Sequence, residues 1–340
     1  MRNILLTGAS GLLGSTLLPL LTGHEVTALT HRAGVAATTV HGDLTRPLLG
    51  MDRGDHRELA RRVETVVHCA ATVDFGIPAE RVMQINLGGT LQVIDFCRRA
   101  GAELLYVSTA FVSRRGLALR ATETGIGSPV AYIESKLAAE AAVRGSGIPT
   151  AIVRPSVICG DAITGAVPKY QGFHQHIADW ISGQTGIVPM APGTGIDLIP
   201  VDTVAHALAA LLARPLADAD YWLTSGTAQL TIARLVELTM LAAESSGMPH
   251  DHLTVVPASL APAALERDPS AVHHMARHRF ESLTHIAAAF EDAPPFPTSL
   301  GSIPGGPTAL TPDEVERVAL AGVNHVLGNI KKERTLAGVG

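Results

Sequence analysis

Apolar residues in the first half of the chain form short unbroken runs that alternate with longer stretches of helical period. The runs are NILLT (3–7), EVTALT (25–30), TVVHCAA (65–71), ELLYVST (103–109) and TAIVRPS (150–156). Strands that are apolar throughout indicate a sheet covered on both faces, and helical connections between them make that sheet parallel. Because such crossovers are right-handed, we predict an α/β fold with a doubly wound parallel sheet of the Rossmann type.

The pattern changes after about residue 160. Gly and Pro become frequent over 160–200, around one amphipathic segment at 173–182. Helices are predicted over 201–214 and 231–247, with a strand between them at 220–226. A last helix is predicted from Thr311, because Thr311, Pro312 and Glu314 have the spacing of a capping box.

These patterns predict two units. Residues 1–160 would form a dinucleotide-binding domain and residues 161–340 a smaller, mostly helical C-terminal substrate lobe, with 196–228 returning to the Rossmann sheet. The segment 292–311 is too rich in Pro and Gly for regular structure.

Composition narrows the class of protein. Apolar residues make up 46% of the 340 residues, charged residues 17%, and the net charge is -5. We therefore expect a folded protein that binds neither nucleic acid nor a membrane surface, and its helical surface would permit a homodimer. Three cysteines are too few for a disulfide framework, and MRNILLTG enters a strand at once, so no signal peptide and a cytoplasmic location are expected.

The segment TGASGLLGS follows the first strand and opens the first helix. Its glycines are Gly8, Gly11 and Gly14, with Ser10, Leu12 and Leu13 between them. A tight strand-to-helix turn and a pyrophosphate close to backbone N–H groups both need residues without a Cβ. The position predicts a dinucleotide site, and a plain glycine-rich turn is the alternative.

The second strand indicates which nicotinamide cofactor binds. It ends in ALTHR, without the carboxylate that commonly holds the ribose hydroxyls of NAD, and it offers His31 and Arg32. A guanidinium suits a 2′-phosphate, so we predict NADP(H), with a solvated arginine as the alternative. Asp43 and Leu44 in HGDLT are placed to hold the adenine edge.

Over about the first 230 residues, seven segments resemble motifs of the extended short-chain dehydrogenase/reductases. They are TGASGLLG, GDL, HCAA (68–71), INLGGT, YVSTAFV, YIESK and RPSVICG. The resemblance implies that Asn86 holds the active-site architecture. It also implies that further cofactor contacts come from Cys69, Ala70, Ala71, Ser108, Pro155, Ser156 and Val157.

Within that family, the sequence is similar to one branch, which contains the fatty acyl-CoA reductases and the thioester reductase domains of carrier-protein enzymes. VVHCAATVDFGIPAERVMQINLGGT, RPSVICGDAITGAV and IDLIPVDTVAHAL carry this likeness. It implies reduction of an acyl thioester on coenzyme A or a carrier protein. A ketone or aldehyde of a secondary metabolite fits the same chemistry.

Tyr132 and Lys136 lie one helical turn apart in AYIESKLAAE. Carbonyl reduction needs a proton donor, and a nearby lysine cation would lower the tyrosine pKa from about 10 and bind the nicotinamide ribose. The family resemblance assigns Thr109, beside Ser108, to polarising the carbonyl. The alternatives are a solvent-exposed helical pair and structural hydroxyls at a strand end.

Other residues carry weaker signals. In GFHQHIADW, Phe173, His174 and Trp180 could line the substrate cleft or the core, while Asp197 and Asp202 are interpreted as a hinge and a helix cap. Four histidines lie within 272–285, but no third metal ligand accompanies the pair at helical spacing, so no metal is expected.

Two other functions stay open. A nucleotide-sugar epimerase or dehydratase would retain tightly bound NAD, and a non-catalytic dinucleotide sensor would not need Tyr132. The ending ALTHR disfavours the first, and the Thr-Tyr-Lys set disfavours the second.

Overall fold

The structure is a computed structural model that describes residues 1–31, 34–74, 77–117, 119, 129–248, 252–288, 290–291, 293–336 and 338. Its main feature is a seven-stranded sheet in which every pairing is parallel. The strands, in spatial order, are β11 (Ala219–Leu223), β6 (Thr150–Pro155), β5 (Glu103–Val107), β4 (Thr65–His68), β1 (Asn3–Thr7), β2 (Glu25–Thr30) and β3 (Thr38–His41). The predicted doubly wound Rossmann-type sheet is confirmed.

The strand order reverses between β1 and β4, and their carboxyl ends lie side by side, with Thr7 opposite His68. Ligands of open α/β sheets bind in the crevice outside such a switch point. Two apolar cores cover the sheet. One includes Leu6, and the other includes Leu5, because successive strand side chains point to opposite faces.

The helices connect the strands and build the second half of the chain. They are α1 (Leu12–Leu17), α2 (Arg53–Arg62), α3 (Ala79–Met83), α4 (Gly89–Ala100), α5 (Pro129–Arg144), α6 (Gly172–Ile181), α7 (Val201–Leu212), α8 (Ile232–Ser245), α9 (Ala261–Arg267), α10 (Arg277–Ala288) and α11 (Pro312–Leu336). Helices α3 and α4 are joined by a π-helical turn, Gln84–Gly88. Short 3₁₀ turns occur at Leu18–Leu20, Ala110–Arg114, Gly226–Ala228, Ala258–Leu260, Pro269–Ala271 and His274–Ala276.

The C-terminal half has its own core. Helices α6, α8 and α11 pack around Ile177, Leu235 and Val323, all buried. Three two-stranded ladders connect this half internally and to the end of β6: β7 (Val157–Cys159) with β10 (Leu198–Pro200), β8 (Ile187–Pro189) with β13 (Thr254–Val256), and β9 (Gly195–Ile196) with β12 (Leu230–Thr231). In the described ranges no helix is both long and apolar enough to cross a bilayer.

Two helix starts can be compared with the sequence. The capping box is confirmed, since the Thr311 N–H donates to Glu314 Oε2 at 2.8 Å and the Glu314 N–H donates to Thr311 Oγ1 at 3.3 Å. The expected cap at Asp202 is wrong. Pro200 is the N-cap of α7, and Asp202 instead accepts a hydrogen bond from the Ala162 N–H at 3.1 Å.

Candidate active site

A cavity of about 350 Å³ opens at the carboxyl edge of the sheet and extends between the helices of the C-terminal half. It brings together fourteen residues that the sequence predicts for the site: Gly8, Gly11, Leu12, Leu13, Gly14, Cys69, Ala71, Ser108, Thr109, Tyr132, Lys136, Pro155, Ser156 and Val157. They come from five separate segments, so the fold places them together. We call this part of the cavity the cofactor half.

The glycine loop is held by close backbone contacts. Gly8 has φ +74°, and a Cβ there would lie 2.7 Å from the Ala70 nitrogen. At Gly14 a Cβ would lie 2.2 Å from the Gly8 carbonyl oxygen, whereas at Gly11 the nearest atom, that same oxygen, is 3.1 Å away. The backbone conformation of the loop therefore requires glycine at positions 8 and 14. At position 11, which lines the cavity, the lack of a side chain leaves space for a ligand.

Thr109 lies two residues after the end of β5, and Tyr132 lies near the start of α5. Both side chains are buried and line the cavity, and Thr109 Oγ1 accepts from the Phe111 N–H at 3.3 Å. Burial raises the pKa of Tyr132 to about 12, and the neighbouring Thr109 hydroxyl offsets part of that rise. The phenol is therefore protonated at neutral pH and faces a cavity beside a second hydroxyl.

Lys136 lies one turn further along α5. Its Nζ donates to the Val107 carbonyl oxygen at 2.8 Å and lies 5.0 Å from the centre of the Tyr106 ring. Burial lowers the pKa of Lys136 to about 8, and the neighbouring Cys69 and Glu140 raise it by smaller amounts. The expected lowering of the Tyr132 pKa by Lys136 is not found, since burial dominates at the phenol.

Helix α5 is fixed to the sheet by a buried ion pair. Arg154, on β6, donates from Nε and Nη2 to the two carboxylate oxygens of Glu140 at 2.8 and 2.6 Å. Its Nη1 also lies 3.0 Å from Asp220 on β11. Bidentate geometry restrains both position and rotation, so this contact sets where Tyr132 and Lys136 lie.

Asn86 lies in the π-helical turn and is 2% exposed. Its Oδ1 accepts from the Thr72 N–H at 2.8 Å, and its Nδ2 donates to the Thr72 carbonyl and to Ser135 Oγ at 3.1 and 3.0 Å. Ser135 Oγ donates to the Tyr132 carbonyl oxygen at 2.7 Å. Asn86 thus connects the loop after β4 to the helix that carries Tyr132, and π turns frequently occur at functional sites.

His68 extends this arrangement to the glycine loop. Its Nδ1 is 2.7 Å from Thr7 Oγ1 and its Nε2 is 3.2 Å from Thr90 Oγ1. Thr90 Oγ1 donates its proton to the Asn86 carbonyl oxygen at 2.6 Å, so it accepts from His68 Nε2–H. Thr7 Oγ1 then donates to Nδ1 and accepts from the Ala70 N–H at 3.3 Å.

The imidazole is neutral, because burial and the nearby Lys136 lower the pKa of His68 to about 3. No role is predicted for His68 from the sequence. A signal was present, since a polar residue ends a buried strand at the edge where ligands bind.

The other part of the cavity, which we call the acyl half, is lined by helices α6, α8 and α10 and by the chain between them. Its side chains are mostly apolar: Phe173, His176, Ile177, Trp180, Met190, Ile196, Ile232, Leu235, Leu283, Ile286 and Phe290. Phe290 packs edge-on against Phe111, two residues after Thr109, with ring centres 5.0 Å apart. Phe173 and Trp180 line the cavity as expected, whereas His174 does not, and His176 takes its place.

A family model for the male sterility protein, an NAD-binding domain, matches residues 21–208. The chain belongs to this NAD-binding family. The predicted resemblance to extended short-chain dehydrogenase/reductases of the thioester reductase and fatty acyl-CoA reductase branch is therefore confirmed.

Among curated relatives of this NAD-binding family member, a hybrid PKS-NRPS synthetase of Talaromyces variabilis is 28% identical over 237 residues, which is 64% of this chain and 6% of that protein. This chain thus corresponds to a small part of that synthetase.

Two solved structures share the fold. The reductase (R) domain of a nonribosomal peptide synthetase from Mycobacterium tuberculosis is 20% identical with a TM-score of 0.68, covering 96% of this chain and 92% of that one. The UDP-glucuronic acid 4-epimerase of Bacillus cereus, in complex with NAD, is 15% identical with a TM-score of 0.61, covering 96% and 99%. At these identities the likeness shows the fold alone.

Six predicted cofactor residues of this NAD-binding family member do not line the cavity: Ser10, His31, Asp43, Leu44, Ala70 and Asn86. Ala70 and Asn86 belong to the hydrogen-bonded arrangement behind it. The Asp43 carboxylate accepts from the Thr45 N–H and hydroxyl at 2.8 and 2.7 Å, which lower its pKa. His31 stacks on His41 with ring centres 6.0 Å apart, and Arg32 lies outside the described residues.

The interpretation of Asp197 as a hinge residue can be compared with its contacts. Its Oδ1 accepts from Ser156 Oγ at 2.5 Å and from the Ser225 N–H at 2.7 Å, and its Oδ2 accepts from the Gly226 N–H at 2.8 Å. Burial raises the pKa of Asp197 and these hydrogen bonds oppose the rise. The carboxylate therefore joins the ends of β6 and β11 at the wall of the cavity.

Proposed function

We propose that this chain is an NADP(H)-dependent reductase that acts on the carbonyl of an acyl thioester, carried by coenzyme A or by a carrier protein. One observation carries the proposal. A single cavity joins the glycine loop, the Thr109–Tyr132–Lys136 set and an apolar chamber. Dinucleotide, reacting carbonyl and acyl chain can therefore meet in one space.

The cofactor half fits a dinucleotide. The Gly11 position leaves the wall open, and the strand ends around Ser156 and Val157 line the same space as the glycine loop. Bound NADPH would supply the hydride that the carbonyl carbon receives. Lys136 would hold the nicotinamide ribose through N–H groups that Val107 does not use, since an ammonium has three donors.

Thr109 and Tyr132 would position the substrate carbonyl. Two hydroxyls that line the same cavity can both turn towards one carbonyl oxygen and stabilise the charge that develops on it. With its pKa raised to about 12, Tyr132 holds its proton until that oxygen becomes more basic than the phenolate, and then donates it. Thr109 would polarise the carbonyl.

The preference for NADP(H) is supported by the surroundings of the β2 end. Asp43 is occupied by Thr45 and by Arg46, whose Nε lies 3.6 Å from Asp43 Oδ2. The stacked imidazoles of His31 and His41 lie at the ends of β2 and β3 and can donate to a phosphate. Calorimetric titration with NADPH and NADH tests this choice, and tighter binding of NADH would refute it.

A nucleotide-sugar epimerase with bound NAD is the second candidate, because the epimerase fold matches. The lining disfavours it. Among the described residues that line the acyl half, most side chains are apolar. A sugar ring brings several hydroxyls, which need hydrogen-bond partners that such a lining does not offer. A non-catalytic dinucleotide sensor is the third hypothesis, and the variant Tyr132→Phe tests it.

The deciding experiment follows NADPH consumption with decanoyl-CoA, its carrier-protein thioester and decanal side by side. Turnover of either thioester is expected. Turnover of decanal alone would restrict the activity to aldehydes and ketones. Lack of any net consumption, with NAD retained through purification, would favour the epimerase.

A further inference from the structure

Helix α6 presents one face to the acyl half of the cavity. Phe173, His176, Ile177 and Trp180 are spaced as one helical stripe, and all four line the cavity. Three of them are apolar, and His176 is the single imidazole in this stripe. A polar group at the centre of an apolar stripe needs an explanation, because its desolvation costs free energy unless it is hydrogen-bonded.

The imidazole of His176 is not used inside the described part of the chain. Burial lowers its pKa to about 4, so it is neutral at pH 7, with one nitrogen donating and the other accepting. Asp179 and Arg279 lie close enough to influence it, but they bind each other: Arg279 Nε and Nη2 donate to the two Asp179 oxygens at 2.6 Å each. This ion pair therefore leaves His176 for another partner.

The rest of the acyl half offers few competitors for a polar ligand group. Asp197 is already held by three hydrogen bonds. Gln171, which precedes α6, and the indole N–H of Trp180 are the other polar side-chain groups of the lining there, and that N–H is buried without a partner among the described residues. The remaining lining residues of α8 and α10, such as Leu235, Leu283 and Ile286, are aliphatic.

We propose that His176 is a specificity-determining residue that recognises an oxygen substituent, a hydroxyl or a keto group, on an otherwise apolar acyl chain. A chain without that oxygen leaves the imidazole desolvated and unpaired, which is how buried polar groups reject apolar analogues. A neutral imidazole serves either oxygen group, since it can donate to both and can also accept from a hydroxyl. The inference rests on the proposed thioester reduction.

The test compares kcat/KM for decanoyl-CoA with kcat/KM for its hydroxy and keto derivatives. These derivatives form two sets of positional isomers, which carry the oxygen at successive positions of the acyl chain. At least one isomer is expected to be preferred by about tenfold, the value of one hydrogen bond in a desolvated site. In His176→Leu this ratio is expected to fall to about one, and in His176→Gln, which keeps a donor and an acceptor, it is retained.

His174→Gln is the matched control, because His174 lies on the same helix, is buried, and does not line the cavity. It is expected to leave the ratio unchanged. Gln171→Leu tests whether Gln171, rather than His176, binds the oxygen substituent of the acyl chain. If that variant loses the preference while His176→Leu keeps it, the proposal is wrong, as it is if no isomer is preferred.

A binding measurement separates this proposal from the proposed function. Decanamide and its hydroxylated or keto analogues cannot be reduced as thioesters, and their dissociation constants are measured by calorimetry on the NADP⁺-loaded protein. If thioesters are not consumed but an oxygenated amide binds about tenfold more tightly, and His176→Leu removes the difference, the recognition stands without the activity. Equal affinities of all amides would overturn it.

Discussion

The cofactor half of the cavity is lined from the ends of parallel strands, while the acyl half is lined by the faces of three helices. Behind the strand ends, polar groups form a continuous series from Ala70 through Thr7, His68 and Thr90 to Asn86. Behind the helices lies an apolar core around Ile177 and Leu235. The positions of the proposed reacting groups are thus fixed by directional hydrogen bonds, and the apolar chamber is shaped by packing, which has no preferred direction.

This difference predicts how each half responds to substitution. Removing one member of a hydrogen-bonded series leaves a buried partner unsatisfied, whereas trimming an apolar wall changes the volume of the chamber. Changes in the cofactor half should therefore alter kcat or cofactor affinity, and changes in the acyl half should alter KM and substrate preference.

The largest effect is expected for Tyr132→Phe. Loss of the proton donor should lower kcat for thioester reduction by about 10³-fold, within the range of general acid catalysis, with NADPH affinity unchanged. Tyr221→Phe, on the edge strand β11, is the matched control. A variant with more than about a tenth of the wild-type kcat would remove Tyr132 from the proposed role.

Two glycines that belong to one loop should behave differently. Gly14→Ala places a Cβ 2.2 Å from the Gly8 oxygen, so the backbone must shift, at a cost of about 1–3 kcal/mol in the free energy of unfolding. Gly11→Ala should unfold at nearly the wild-type temperature but bind NADPH about tenfold more weakly, because its Cβ enters the cavity. Thermal unfolding and calorimetry separate the two results. The interpretation fails if Gly11→Ala binds NADPH normally.

The pH dependence of kcat/KM should reflect Lys136. Its pKa is lowered to about 8, so the ammonium loses its proton as the pH rises through 8, and activity should decline by about tenfold per pH unit above that value. Tyr132 contributes nothing in this range, because its pKa is raised to about 12. Lys136→Arg keeps its charge and should lose the alkaline decline while retaining lower activity. A wild-type profile that is flat to pH 10 would contradict the assignment.

The smallest effects are expected for one conservative substitution in each half of the cavity. Ser135→Ala removes the oxygen that joins Asn86 to the Tyr132 carbonyl and should lower kcat by roughly fivefold, about 1 kcal/mol. Ile177→Val removes one methylene from the chamber wall and should change KM for decanoyl-CoA by about twofold, with kcat unchanged. Equal effects of both variants on kcat would mean that the two halves are not distinct.

Much of the fold follows from apolar runs. Asn3–Thr7 and Glu25–Thr30 begin and end where the runs do, because a buried parallel strand must be apolar on both faces. Thr38–His41 could not be read in this way, since it lies at the sheet edge and is largely exposed. The π turn at Gln84–Gly88 was not predicted either, because one wider turn does not alter the helical period enough to be visible.

The same distinction applies to the residues around the cavity. The glycine loop and the Tyr132–Lys136 pair have fixed local spacing, so they can be predicted from the sequence, and both line the cavity. The contacts of His68 depend on two strands and a helix that are distant in sequence. The choice of His174 over His176 failed because a short helix with polar residues on several sides does not reveal which face meets the cavity.

The contact between Asn86 and Thr72 makes the assembly of the site observable by hydrogen exchange. The Thr72 amide lies outside regular structure, yet it donates to a buried side chain that also holds the Tyr132 helix. Its deuterium uptake should be as slow as that of a helical amide, and should accelerate whenever the Tyr132 helix separates from the loop. One loop amide would thus record how often the contact between this loop and the Tyr132 helix opens, with neither cofactor nor substrate present.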